Sequence, residues 1–169
     1  MIIRTAGTNC DRELAHGFEQ AGAAVETVHL NQLIGRPEMI DQAQIIGLPG
    51  GFSYGDDIAA GRIFANRLRH RLFEPLQAAV KRGVPMIGIC NGFQILCESG
   101  LLPGTLMHNS HLQYRCQWTH LRVERPKTLF TGICQEYQVL RVPISHGDGN
   151  YFADGRTLRE LEERGQVVL

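Results

Sequence analysis

Apolar residues along this chain fall into short runs separated by amphipathic stretches. "MIIRT" at the start is a run of strand length, and in "CDRELAHGFEQAG" Leu14 and Phe18 lie four apart on one helical face, with Gly22 at the end. A second strand is expected in "AAVETVHL", helical spacing resumes in "RPEMIDQA", and "QIIGLPGG" is an apolar run stopped by Pro49, Gly50 and Gly51. "FANRLRHRLFEPLQAAVKRG" holds helical spacing up to Gly83, and "VPMIGIC" is again a short run of β type. Strands alternating with helices imply an α/β fold: a doubly wound, mostly parallel sheet with helices on both faces. Beyond about residue 105 the texture changes, and "QYRCQWTHLRVER" and "YQVLRVPISHG" suit antiparallel or edge strands. "GRTLRELEERG" predicts a last helix and "QVVL" the beginning of one more strand.

Composition narrows the class. With 169 residues, 43% hydrophobic and 20% charged, the chain has the make-up of one globular domain with a sizeable core. Lys and Arg number 17, as do Asp and Glu, so no global field favours nucleic acid or an anionic membrane. No apolar run is long enough for a signal peptide or a membrane span, and a cytoplasmic location is expected. The five cysteines (Cys10, Cys90, Cys97, Cys116, Cys134) include no CxxC pair and no histidine at zinc-ligand spacing. Reduced thiols and no bound metal follow as expectations.

The chemistry concentrates at predicted strand ends, where doubly wound sheets place their sites. Cys90 stands where the "VPMIGIC" strand turns into a helix beginning near Asn91, with Gly88 and Gly92 relieving the crowding of a sharp elbow. The positive end of that helix favours negative charge at the sulfur and on any oxyanion formed beside it. In "PISHGDGNY", His146 and Asp148 are two apart, so on an extended segment the carboxylate and the imidazole leave on one side. Gly50 and Gly51 allow backbone N–H groups to face a cleft. Taken singly, each has a plainer reading: a buried cysteine, a polar turn, a strand-ending turn.

Together these segments resemble one family. "GICNGFQ" is similar to the G-x-C-x-G-x-Q elbow of class I glutamine amidotransferases, with Cys90 in the nucleophile position and Gln94 in the position that helps hold substrate glutamine. "PGGFSYGD" resembles the family's oxyanion strand and "PISHGDG" its His-x-Glu segment. Within the superfamily, "GTNCDRE", "GGFSYGDD", "GICNGFQIL", "GLLPG" and "PISHGDGNYFAD" resemble, in order, the glutaminase subunits of phosphoribosylformylglycinamidine synthases. Two departures stand out: Asp148 occupies a position where the family has Glu, and family members continue for several tens of residues beyond "GQVVL". The resemblance therefore implies one flavodoxin-like amidotransferase domain over residues 1–169 that lacks the family's C-terminal segment.

What the resemblance implies chemically is hydrolysis of L-glutamine to glutamate and ammonia through a thioester on Cys90. His146 would act as base, oriented by Asp148, while Gly50, Gly51, Asn91 and Gln94 would serve the oxyanion and the substrate. The chain has no phosphate-binding loop of the G-x-x-x-x-G-K-[ST] type. ATP and magnesium are accordingly expected on a partner, a large synthetase subunit making formylglycinamidine ribonucleotide in purine biosynthesis, with a small accessory subunit in some systems. The competing readings are a non-catalytic docking module, truncated or decayed, and the glutaminase of a different synthetase.

Overall fold

Strands buried on both faces form the centre of residues 1–103 in the computed structural model, which describes the whole chain from Met1 to Leu169. Strand β1 (Ile2–Arg4) leads to helix α1 (Asp11–Gln20), β2 (Thr27–His29), the short helix α2 (Leu30–Gly35) and β3 (Ile46–Leu48). Helices α3 (Arg62–Arg71) and α4 (Phe73–Lys81), strand β4 (Met86–Gly88) and helix α5 (Asn91–Glu98) complete this unit. All pairings are parallel in the order β2-β1-β3-β4, so the winding direction reverses between β1 and β3.

Alternation along β3 explains the two covered faces. A side chain added at Gly47 would come within 3.0 Å of Leu14 and 3.4 Å of Phe18 on α1, so on this face the helix side chains pack closely against the strand. Leu48 and its neighbour Gly88 point the other way, where α5 packs so closely that a Cβ on Gly88 would lie 2.6 Å from Leu96. The core between sheet and helices is aliphatic, with Phe64 its one large ring among Ile3, Leu33, Ile46, Leu68 and Ile95.

Three local features differ from the sequence expectation. The helix expected without interruption up to Gly83 breaks at Leu72, whose ψ of 5° and φ of −133° lie outside the helical range. Pro75 is the physical reason: in one continuous helix its ring would strike the carbonyl of Arg71, whereas after the break it sits in the first turn of α4 and needs no acceptor. The second expected strand stops at His29, because the His29 side chain accepts the Asn31 N–H at 3.1 Å and starts α2. The helical signal after Arg36 is realised as a 3-10 helix, Pro37–Gln42.

Residues 104–169 form the second compact unit. Strand β5 (Thr105–Met107) pairs with β8 (Asn150–Phe152), and β6 (Arg115–Arg122) pairs with β7 (Val139–His146), both antiparallel as the changed texture predicts. Helix α6 (Gly155–Glu163) follows. "QVVL" is not a strand; the Val168 carbonyl instead accepts the N–H groups of Glu124 at 2.9 Å and Arg125 at 3.3 Å. No helix of either unit is long and apolar enough to cross a membrane.

Candidate active site

The loops after β1, β3 and β4 emerge at the carboxyl end of the sheet, around the point where its winding reverses. Residues 7–10 run antiparallel to residues 50–54: Gly7 and Ala6 carbonyls accept the N–H groups of Phe52 at 2.9 Å and Tyr54 at 2.8 Å, and Gly50 accepts from Cys10 at 3.3 Å. The approach is so close that a Cβ on Gly7 would lie 2.0 Å from the Phe52 carbonyl oxygen. "GTNC" and "PGGFSY" are thus one docked pair of loops.

Cys90 occupies the turn from β4 into α5 with φ 54° and ψ −114°, a conformation that costs an L-residue of order 1–3 kcal/mol and persists only where the surroundings enforce it. The enforcement is visible. Ile89 N–H bonds to Leu48 O at 3.1 Å, Gly92 N–H to Ile89 O at 2.9 Å, and Phe93 N–H to Cys90 O at 3.0 Å. A Cβ on Gly92 would lie 1.9 Å from the Leu48 carbonyl oxygen, so only glycine lets α5 start this close to β3. The Cys90 side chain is exposed, at the head of an eight-residue helix whose positive end lies beside it. This is the geometry of a nucleophile elbow.

Asn91 and Gln94, both expected near the oxyanion and substrate, are buried at 2% and 8% exposure. The Asn91 carboxamide reaches out of α5: its Oδ1 accepts the Ser53 N–H at 3.1 Å, and its Nδ2 donates to Asp56 Oδ1 at 3.1 Å and to Gln94 Oε1 at 3.0 Å. Asp56 Oδ1 also takes the Gly61 N–H at 2.9 Å. Gly51, with φ 135°, lies against Gly7 and Asn9, and a Cβ on Gly50 would come within 3.3 Å of the Cys90 Cβ. Gly50, Gly51, Cys90, Asn91 and Gln94 therefore gather in the first unit. Cys10 shares this neighbourhood, lining with Cys90, Pro49 and Ile89 a largely apolar cavity of about 520 Å³. Burial pushes the Cys10 thiol up, and Glu13, Cys90 and Asp11 add to the shift.

His146 and Asp148 belong to the second unit, and the pairing expected between them is not formed. The Asp148 carboxylate pairs with His108, while His146 Nδ1 contacts Asn109 Oδ1 at 2.9 Å. The cause is local: His146 ends a strand and the chain turns at Gly147, so the two-residue alternation of an extended segment no longer applies. Asn109 is the centre of this turn. Its Nδ2 donates to Gln113 O at 2.8 Å and His146 O at 3.0 Å, and its Oδ1 also accepts the Gly149 N–H at 3.1 Å. A Cβ on Gly149 would lie 2.2 Å from His146 Nδ1, which accounts for the second glycine of "HGDG". Sequence reasoning missed Asn109 and Asp56; an asparagine between "MH" and "SHL" and an acid in a Gly-rich turn carry no signal that separates them from ordinary loop residues. Among all residues, no group of three or more His, Cys, Asp or Glu side chains has the arrangement of a metal site.

Comparison with known proteins agrees with the elbow. The CobB/CobQ-like glutamine amidotransferase domain matches residues 1–169, and the chain belongs to this family. It is 46% identical over 172 aligned positions to phosphoribosylformylglycinamidine synthase subunit PurQ of Rubrobacter xylanophilus, spanning 99% of this chain and 73% of that one. The solved structure of PurLQS from Thermotoga maritima superposes with a TM-score of 0.79 at 37% identity, covering 91% of this chain and 69% of the other. A glutamine amidotransferase from the same organism shares the fold, with a TM-score of 0.59 at 18% identity over 92% and 62% of the two chains. Within the family the chain accordingly groups with the PurQ glutaminase subunits.

Proposed function

We propose that this chain hydrolyses L-glutamine through Cys90 and delivers the ammonia to a synthetase subunit that makes formylglycinamidine ribonucleotide. The observation that carries the chemistry is the strained, exposed Cys90 at the turn from β4 into α5. The sulfur attacks the side-chain carboxamide carbon, and the C–N bond breaks as the thiol proton passes to the leaving nitrogen. Water then cleaves the thioester to glutamate and restores the thiol. Backbone N–H groups at Gly51 and Asn91 flank the position where the tetrahedral oxyanion forms. The similarity to PurQ of Rubrobacter xylanophilus and to PurLQS supports the synthetase as partner. ATP and magnesium are proposed to bind on that partner, with a small accessory subunit alongside it. This identity favours the purine enzyme over the glutaminase of another synthetase.

Glutamate release, measured with the synthetase subunit present, tests the reading. Cys90→Ser is expected to lower turnover by at least about a thousandfold, as loss of a nucleophile does elsewhere. Wild-type turnover in that variant would show that Cys90 is not the nucleophile, and no turnover in the unaltered chain would place it with the non-catalytic docking modules.

A further inference from the structure

Around the elbow, one side chain is more fully engaged than a helix-starting residue requires. Asn91 is next to the nucleophile, is almost completely buried, and spends its carboxamide on two partners outside the elbow, Ser53 N–H and Asp56, and on Gln94 one turn along α5. The orientation of the amide follows from its partners, because a backbone N–H can only donate and a carboxylate can only accept. The Ser53 hydroxyl, buried without a hydrogen-bond partner, adds nothing to this link, so the polar hold between the two segments is the Ser53 N–H on Asn91 Oδ1.

Its place in the chain gives the link a consequence. Ser53 begins the turn that follows Gly50, Gly51 and Phe52, and Asn91 is the first residue of α5. The two backbone segments that flank the Cys90 sulfur are thereby tied at one point. Asp56 holds the far side, gripping the Asn91 amide and the Gly61 N–H with the same oxygen. Tyr54, Gly55 and Asp56 all have positive φ, so the turn is held in a shape that the chain would not keep unaided.

We propose that Asn91, with Asp56, is a positioning pair that sets the separation of the Gly51 and Asn91 N–H groups, and so the fit of the oxyanion rather than the binding of glutamine. The inference rests on the Cys90 glutaminase reading and deepens it. Hydrogen bonds to an oxyanion act only when the donors already stand at the right distance, and a displacement near 1 Å can cost about a hundredfold. Loosening the pair should then lower kcat and leave KM nearly in place.

The test exploits the polarity of the amide. In Asn91→Asp the shape is kept, but a carboxylate replaces the donor and faces Asp56, a like-charge contact. In Asn91→Asp combined with Asp56→Asn, the oxygen of the new amide keeps the Gly61 N–H. Its NH2 group takes the place of Asp56 Oδ2, 3.5 Å from the Asn91 Nδ2 position, and donates to the new carboxylate, which still accepts the Ser53 N–H. With the synthetase subunit present, kcat for glutamate release is expected to fall about a hundredfold in Asn91→Asp, with KM changed less than about threefold. The double variant is expected to recover to within about tenfold of the unaltered chain. An Asn91→Asp variant with unchanged kcat, a loss expressed only in KM, or a double variant no better than the single one overturns the inference. If Asn91→Asp does not fold, Asp56→Ala carries the test: kcat should drop about tenfold at constant KM, and wild-type kinetics would sink the idea. Cys90→Ala in the same series separates the two levels. Activity that survives it removes the glutaminase reading and this inference together, whereas a Cys90-dependent activity indifferent to Asn91→Asp removes the inference alone.

Discussion

Asn109 and Asp148 each tie a histidine of the second unit, His146 and His108. Asn109 is 5% exposed and its carboxamide meets four groups, two carbonyls, one N–H and the His146 ring. Removing it breaks four part-buried contacts of a turn, each net bond contributing about 0.5–1.5 kcal/mol. Asn109→Ala is therefore expected to lower the unfolding free energy by about 2–4 kcal/mol in denaturant titration. Asp148, half-buried, pairs with a His108 ring that is largely in solvent. His146 Nδ1 meets Asn109 Oδ1 at 2.9 Å, and Gly149 closes against its ring. With His146 as the proposed proton carrier, His146→Ala should reduce glutamate release by at least about a hundredfold. A loss of less than about tenfold would count against that role. At this scale Cys90 was legible because glycines on both sides of a strand-ending cysteine have few other uses. The partnership of His146 was not, because it depends on where the chain turns, and a period of two says nothing once the strand has ended.

Elements were legible where apolar spacing and a stop signal agreed. Helix α1 and strands β1, β3 and β4 appear where the pattern puts them, because a parallel strand buried on both faces needs an uninterrupted apolar run. The break at Leu72 was hidden since Leu68, Leu72 and Leu76 keep a helical four-residue spacing across it, and all three are buried. Pro75 was the available clue. Helix α6 shows the opposite case, a helix with no buried residue that relies on its cap. Asp154 Oδ1 accepts the N–H groups of Arg156 at 2.9 Å and Thr157 at 3.0 Å, and Oδ2 accepts the Thr157 hydroxyl at 2.7 Å. The Thr157 hydroxyl, then the Thr157 N–H and the Arg156 N–H, hold the Asp154 carboxyl below its ordinary value of 3.8. A depressed carboxyl stabilises the folded form above its unfolded pKa and loses that contribution as pH falls through the folded one. Amide protection factors at Arg156 and Thr157 should therefore fall as the cap is protonated at acid pH, and in Asp154→Ala they should be low already at neutral pH. Unchanged protection in that variant would show that α6 is held by something other than its cap.

For the molecule as a whole, two thiols are shifted on the alkaline side, Cys10 and, further, Cys97. Cys97 is turned away from solvent by α5 while Cys90 at its head stays exposed. Burial, assisted by the neighbouring Glu98, pushes the Cys97 thiol up from 9.0 to about 11. The sign follows directly. Between these values the unfolded chain has lost a proton that the folded chain still holds, so stability falls as pH rises. The contribution is complete below about pH 9 and is gone once the pH passes the folded value near 11. Melting temperatures of the unaltered chain should then decline more steeply across this window than those of Cys97→Ala, which starts lower because a buried side chain has been trimmed. Thiol labelling gives the complementary readout: at neutral pH a maleimide should reach Cys10, Cys90 and Cys116 in the folded protein, and Cys97 only after unfolding. Parallel melting curves for the two proteins from pH 9 to 11, or rapid native labelling of Cys97, would mean that α5 opens to solvent. An elbow that holds Cys90 in a strained conformation depends on that helix staying closed.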